Sequence, residues 1–112
     1  MSAAPAVQLL WWRGCPSSEE ALALLRAEME SAGIDPGSLR VREIRTEGEA
    51  EDERFPGSPT IRVDGRDIEP RDEEPSGLSC RVYRLRDGRP SPLPDPDDLR
   101  ETLRRAARGA EA

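Results

Sequence analysis

The order of elements along the chain predicts an α/β fold built on a small mixed sheet. Three observations carry that expectation. Residues 7 to 44 read as strand, helix, strand, which is a βαβ unit with parallel strands and a right-handed crossover. Thr60 to Val63, followed by Asp64-Gly65 and Arg66 to Glu69, reads as a hairpin added to that unit. Asp95-Pro96 then opens a last amphipathic helix marked by Leu99, Leu103 and Ala106.

Each element has a local reason. Residues 1–5 read as a loose tail, 6–108 as a single domain and 109–112 as a second loose tail. Val7 to Trp11 is a short apolar run with β-formers at its ends, so it reads as a buried strand. Pro16 falls where proline is tolerated in a helix, at the first position, which makes Cys15 the expected N-cap. Leu22, Leu25, Met29 and Ala32 then recur at helical spacing, Gly33 is a natural stop, and Ile34 is its apolar follower. Asp35 to Ser38 is a turn, and Leu39 to Ile44 is a second strand carrying Val41 and Ile44.

Thr46 to Glu49 has capping-box spacing, so a short charged helix is expected from Glu47 to about Phe55. Pro56-Gly57 ends it. Beyond the Thr60–Glu69 hairpin, Pro70 to Ser79 is a polar loop, and Cys80 to Leu85 alternates as a strand should. Asp87-Gly88 turns the chain into a proline-rich stretch that leads to the final helix. No internal repeat is visible.

Composition removes several classes of chemistry. The net charge of −6 makes nucleic acid and anionic membranes poor partners. No histidine is present, which excludes Cys-His pairs, Ser-His-Asp triads and histidine metal sites. All 17 basic residues are arginine and form no block, a compositional bias rather than a binding signal. No apolar run approaches membrane-spanning length, and the N-terminal segment has no basic residue before its apolar part. A cytoplasmic chain is therefore expected, where two cysteines seldom form a permanent disulfide. The acidic run from Glu47 to Arg54 lacks calcium-loop spacing and reads as a solvated helix face.

The stretch Trp11 to Ser18, WWRGCPSS, holds one of those cysteines at the carboxyl end of the first strand. In a βαβ unit, ligands and chemistry gather there. The backbone N–H groups of Ser17 and Ser18, the helix dipole and Arg13 favour a thiolate at Cys15, whereas Glu19 and Glu20 oppose it. A free thiol with pKa near 8.5 is only a few per cent ionised at neutral pH. A shift to about 7 gives roughly half, for about 2 kcal/mol. Elsewhere in a chain a lone cysteine is more often a small buried residue; the Gly-Cys-Pro context at a strand-to-helix junction favours the nucleophile, with a thiol at least partly exposed at the helix N-terminus.

The motif W-x-G-C-P-x-S, followed by a helix and then by G-S-P-T-I-x-V-D-G, resembles the thioredoxin-like superfamily. The chain is also similar to small bacterial thioredoxin-like proteins with a GCPS-type turn, an SPTI-x-V-D-G strand and a later G-L-S-C-R-x-Y stretch, some carrying selenocysteine at the reactive position. The resemblance covers about residues 6 to 69. It implies a three-layer fold, with a mixed central sheet, helices on both faces and, here, an added C-terminal strand. It maps Cys15 to the attacking thiol and Pro59 to a cis-proline facing it. It also implies that the backbone beside Pro59 pairs with a bound substrate chain. The pattern here is Cys-x-x-Ser, because Ser18 takes the fourth position, so resolution within the motif is excluded.

The expected function is thiol–disulfide exchange or thiol-dependent reduction, with Cys15 as nucleophile and Cys80 as resolving thiol. Trp12, Arg13, Pro16, Ser17, Ser58 and Pro59 are the expected substrate-binding residues. No bound cofactor or resident metal is expected; glutathione or another small thiol is the electron donor, and a protein or small-molecule thiol or disulfide is the substrate. Two other classes compete: an inactive adaptor that binds protein segments, and a thiolate site for mercury, copper or an iron–sulfur cluster. Alternation along the first strand puts Trp11 and Trp12 on opposite faces, so one of the two is expected in the core and the other at the site; Trp12 is the nearer in sequence. Tyr83 reads as sheet packing. If the Asp64-Gly65 hairpin returns the chain to the rim that holds Cys15, Cys80 starts its strand beside it; otherwise it starts at the far end.

Overall fold

The structure, a computed structural model, describes residues 4–70 and 75–111. It is a mixed α/β arrangement. A four-stranded sheet contains β1 (Val7–Trp11), β2 (Arg40–Glu43), β3 (Thr60–Val63) and β4 (Arg66–Asp67), in the order β2-β1-β3-β4. β1 and β2 are parallel and are joined through helix α1 (Ser18–Ser31). β1 and β3 are antiparallel, with Leu9 opposite Ile61, and β3 and β4 form the antiparallel hairpin. Asp64 and Gly65 turn that hairpin with positive φ angles of 53° and 80°. Helix α2 (Glu47–Asp52) lies between β2 and β3, and helix α3 (Pro96–Glu111) closes the chain.

Side chains alternate across the sheet, so β1 feeds two cores. Val7 and Leu9 join Ile61 and Val63 beneath α1 and α3, against Ala21, Leu25, Met29, Leu99 and Leu103. Leu10 points the other way and meets Ile44, Ala50 and Phe55, with Trp12 and Leu78 at the edge. Glu28 of α1, buried against α3, is held by Arg100 through two bonds of 3.0 Å. α1 ends as its sequence suggests. Gly33 has φ +77°, Gly33 N–H reaches the carbonyl of Glu30, and Ile34 N–H reaches that of Met29. Ile34 is buried behind that stop. Thr46 caps α2 by accepting the Glu49 N–H at 3.0 Å.

Several boundaries differ from the expectation. α1 begins at Ser18 with Ser17 at the cap position, so Pro16 is not its first residue and Cys15 is not its cap. Cys15 N–H instead bonds the Trp12 carbonyl at 3.0 Å, and that turn displaces the helix start. β2 spans only Arg40–Glu43, and Val41 is 43% exposed, because β2 is an edge strand anchored by its flanks, Leu39 and Ile44. α2 stops at Asp52, where Glu53 and then Arg54, at φ 52°, carry the chain out of the helix.

β4 is short because Asp67 turns back to accept the Glu69 N–H just before Pro70. The expected strand from Cys80 to Leu85 is not added to the central sheet. Only β5 (Tyr83–Arg84) forms, and it pairs with β6 (Pro90–Ser91) as a separate two-stranded ribbon around the Gly88 turn. Arg81 and Tyr83 do alternate inward, but Arg81 spends its side chain on a buried ion pair. At the ends, Pro5 is buried and Ala6 bonds both ways with Asp64, so the expected tail of residues 1–5 is anchored earlier; Met1 to Ala3 lie outside the described residues. α3 continues through Gly109 to Glu111, where a loose tail over residues 109–112 is expected; Ala112 lies outside the described residues. No helix among the described residues is long and apolar enough to cross a membrane.

Candidate active site around Cys15 and Cys80

β1 delivers Trp11 to the edge of the sheet, and the turn through Arg13 and Gly14 sets Cys15 above the start of β3. Gly14 must lack a side chain there: a Cβ would lie 2.4 Å from the Trp12 indole. β3 opens at Pro59, and the Ser58-Pro59 peptide is cis, as the resemblance implies. Cys15 Sγ lies 3.4 Å from the Ser58 carbonyl oxygen, to which the protonated thiol donates. The Ser58 hydroxyl is a hub: it accepts from Trp12 N–H at 3.0 Å and lies 3.3 Å from the Ser18 hydroxyl.

Cys80 meets the same point from the other side. Ser58 and Cys80 form an isolated parallel bridge, with Ser58 N–H on the Ser79 carbonyl and Arg81 N–H on the Ser58 carbonyl, both at 2.8 Å. The hairpin therefore returns the chain to the rim of Cys15, and Cys80 sits beside it. Both thiols are free; Cys80 is exposed, whereas Cys15 is only 8% exposed. That burial departs from the open thiol expected at a helix N-terminus, because Ser58 and the two turns close over the sulfur. Cys15 nevertheless belongs to neither apolar core.

The two thiols are electrostatically unequal. Desolvation pushes Cys15 up, but hydrogen bonds from the Ser58 side chain, the Ser17 backbone, the Ser18 side chain and Cys80 outweigh it, and its pKa falls below the free-thiol value. Cys80 is raised, by desolvation first and then by the charge and hydrogen bond of Cys15. The pair thus loses its first proton at Cys15.

The remaining expected residues divide. Ser17 and Ser58 reach the thiol, and Pro59 follows Ser58 across the cis bond. Pro16 is exposed in the turn beside it. Trp12 shields Gly14 and touches the site through its backbone, while Trp11 faces α1 from the opposite side of the sheet beside Leu9 and Leu22; both indoles are half-buried, and neither is fully in the core. Arg13 does not assist the thiolate. Its guanidinium is largely exposed and lies 3.8 Å from Glu43, beside a hollow of about 380 Å³ that it lines with Trp12, Glu43, Ile44 and Arg45.

The support of the site was not legible in the sequence. The Arg81 side chain has no exposure, and it bonds Asp67 at 2.8 Å, the Tyr83 hydroxyl at 3.3 Å and the Glu69 carbonyl. Its guanidinium carbon lies 4.6 Å from the Tyr83 ring centre. The Tyr83 hydroxyl in turn donates to the Pro59 carbonyl at 2.6 Å. Gly57, at φ +139°, lets this strand approach, since a Cβ there would come within 3.2 Å of the Arg81 backbone. Gly57 stands in the motif before Ser58-Pro59, and Arg81 and Tyr83 stand in the G-L-S-C-R-x-Y stretch of the resemblance, but nothing in the sequence gives Arg81 a buried, supporting role. Among the described residues, no group of three or more Cys, Asp or Glu side chains is placed to hold a metal ion.

Compared with protein-family models, curated proteins and solved structures, the chain has no significant match.

Proposed function

We propose that the chain is a thioredoxin-like thiol–disulfide oxidoreductase in which Cys15 is the nucleophile and Cys80 the resolving thiol. The observation that carries this reading is the pairing of unequal thiols: a shielded, acidified Cys15 facing Ser58-Pro59 and an exposed Cys80 held beside it. The architecture is compatible with the finer fold. Parallel β1 and β2 flank α1, the β3–β4 hairpin extends the sheet, and apolar cores lie on both faces.

The step balances as follows. The Cys15 thiolate attacks one sulfur of a substrate disulfide, a Cys15–substrate S–S bond forms, and the other substrate sulfur leaves as a thiolate with the bonding pair. Cys80 gives its proton to the departed substrate thiolate and attacks Cys15 Sγ, which releases the second substrate sulfur as a thiolate. The substrate has gained two electrons, and the chain holds a Cys15–Cys80 disulfide. Two equivalents of a small thiol such as glutathione reduce it again and leave as their own disulfide, so no bound cofactor takes part. The adaptor reading has less support, because the Ser58 backbone that would receive a bound segment is already paired within the chain. Thiolate capture of a soft metal has only these two sulfurs to offer.

Alkylation rates followed for each cysteine by mass mapping across pH test the reading. Cys15 is expected to react with a midpoint below the free-thiol value of about 8.5, and Cys80 above it. Two sulfurs with ordinary midpoints would overturn the nucleophile assignment.

A further inference from the structure

The turn from Gly57 to Pro59 borders Cys15 from the β3 side, and its carbonyls and the Ser58 N–H are engaged internally. The Gly57 carbonyl accepts from the Thr60 hydroxyl at 2.6 Å. The Ser58 N–H and carbonyl are taken by Ser79 and Arg81, and the Pro59 carbonyl by the Tyr83 hydroxyl. The Ser79–Arg81 strap that occupies this edge is not a loose flap. Its third residue is fixed by a wholly buried guanidinium among Asp67, Thr60, Tyr83 and Glu69. An extended polypeptide seeking the Ser58 main chain beside Cys15 finds its N–H and carbonyl taken unless it displaces that strap.

We propose that this site selects compact, low-molecular-weight disulfides and excludes extended polypeptide disulfides, with the Ser79–Arg81 strap as the specificity element and Arg81 as the residue that positions it. The proposal rests on Cys15 being the nucleophile. The strap lays Cys80 along the Ser58 backbone, so the chain supplies its own peptide at that edge. A small disulfide needs no main-chain partner and has only to reach the 8% of Cys15 that is exposed. The bonds a docking polypeptide makes at Ser58 only replace the two strap bonds, so the ordering of its backbone is uncompensated and slows its attack by about tenfold or more.

The test uses matched probes. One is N-acetylcysteine amide joined to 2-thiopyridine as a mixed disulfide; the other is the same capped cysteine within an unstructured peptide. Attack by Cys15 on the cysteine sulfur releases 2-thiopyridone from both; mass mapping places the adduct in Cys80→Ser, and finds it as an adduct or as its Cys15–Cys80 resolution product in the full chain. In the full chain the small probe is expected to react at least about tenfold faster. The same ratio is expected in Cys80→Ser, because the backbone bridge and not the thiol excludes the peptide. Arg81→Ala, shown folded by circular dichroism, is expected to bring the ratio toward unity by speeding the peptide. Asp67→Ala, which removes the carboxylate that anchors Arg81, repeats that measurement if the first variant does not fold. Equal rates for the two probes in the full chain, with both adducts on Cys15, would overturn the selectivity alone. A preference that vanishes in Cys80→Ser would assign it to the thiol and also overturn the strap. No adduct on Cys15 from either probe in Cys80→Ser, where resolution cannot remove it, would overturn the nucleophile reading, and this proposal with it.

Discussion

Tyr83→Phe removes one oxygen from the structure that supports the site. The Tyr83 hydroxyl donates to the Pro59 carbonyl at 2.6 Å and accepts from Arg81 at 3.3 Å. Pro59 is almost wholly buried, so water cannot replace the lost donor. Leaving a buried acceptor unsatisfied costs about 1–3 kcal/mol. In a chain of this size that lowers Tm by about 4 °C for each kcal/mol.

The same hydroxyl gives the effect a pH signature. Burial pushes the Tyr83 phenol well above its ordinary value of 10.0. The folded state therefore keeps the proton while the unfolded state loses it. The stability present below pH 10.0 is lost as pH rises from there toward the folded value, at about 1.4 kcal/mol per pH unit. The chain has one tyrosine and no lysine, so the difference between wild type and Tyr83→Phe isolates this group. Urea unfolding followed by Trp11 and Trp12 fluorescence, from neutral pH to about pH 11, measures it. The Phe variant is expected to be less stable at neutral pH, with the gap narrowing above about pH 10. Phenolate absorbance is expected to appear only on unfolding. A constant gap, or a phenol that ionises near pH 10.0 in the folded chain, would refute the buried hydrogen bond.

Three further outcomes follow from single contacts. Ser58→Ala removes the largest hydrogen bond that lowers Cys15, so the alkylation midpoint of Cys15 is expected to rise; an unchanged midpoint would show that Ser58 does not hold the thiolate. Gly57→Ala adds a Cβ within 3.2 Å of the Arg81 backbone at a φ of +139°, and a loss of about 2 kcal/mol or more is expected in urea unfolding, against no loss if the strap yields freely. Arg100→Ala leaves the buried Glu28 carboxylate without its bidentate partner, so stability is expected to fall by about 1–3 kcal/mol, and by much less in the double variant Glu28→Gln/Arg100→Ala; equal losses would place the cost elsewhere.

The sequence by itself determined the elements whose causes are local. The helical spacing of Leu22, Leu25 and Met29 with Gly33 as its stop, the Thr46 cap, the Asp64-Gly65 hairpin and the Asp95-Pro96 helix start all act within a turn or two of the chain, and each is present. The motif around Cys15 and Pro59 likewise marked the two segments that meet, because a strand-to-helix cysteine and a strand-opening proline carry their signals in adjacent residues. What only the tertiary structure decided was non-local. Whether Cys15 lay open depended on how Ser58 packs over it, and local helix signals misplaced the start of α1 by two residues. The alternation from Cys80 to Leu85 could not tell a sheet strand from a strap bridged at one residue, since both put the same side chains inward. Arg81 is the clearest case. The G-L-S-C-R-x-Y stretch marks its position but not its burial, which is set by a carboxylate, a phenol and a carbonyl oxygen that come together only when the chain is folded.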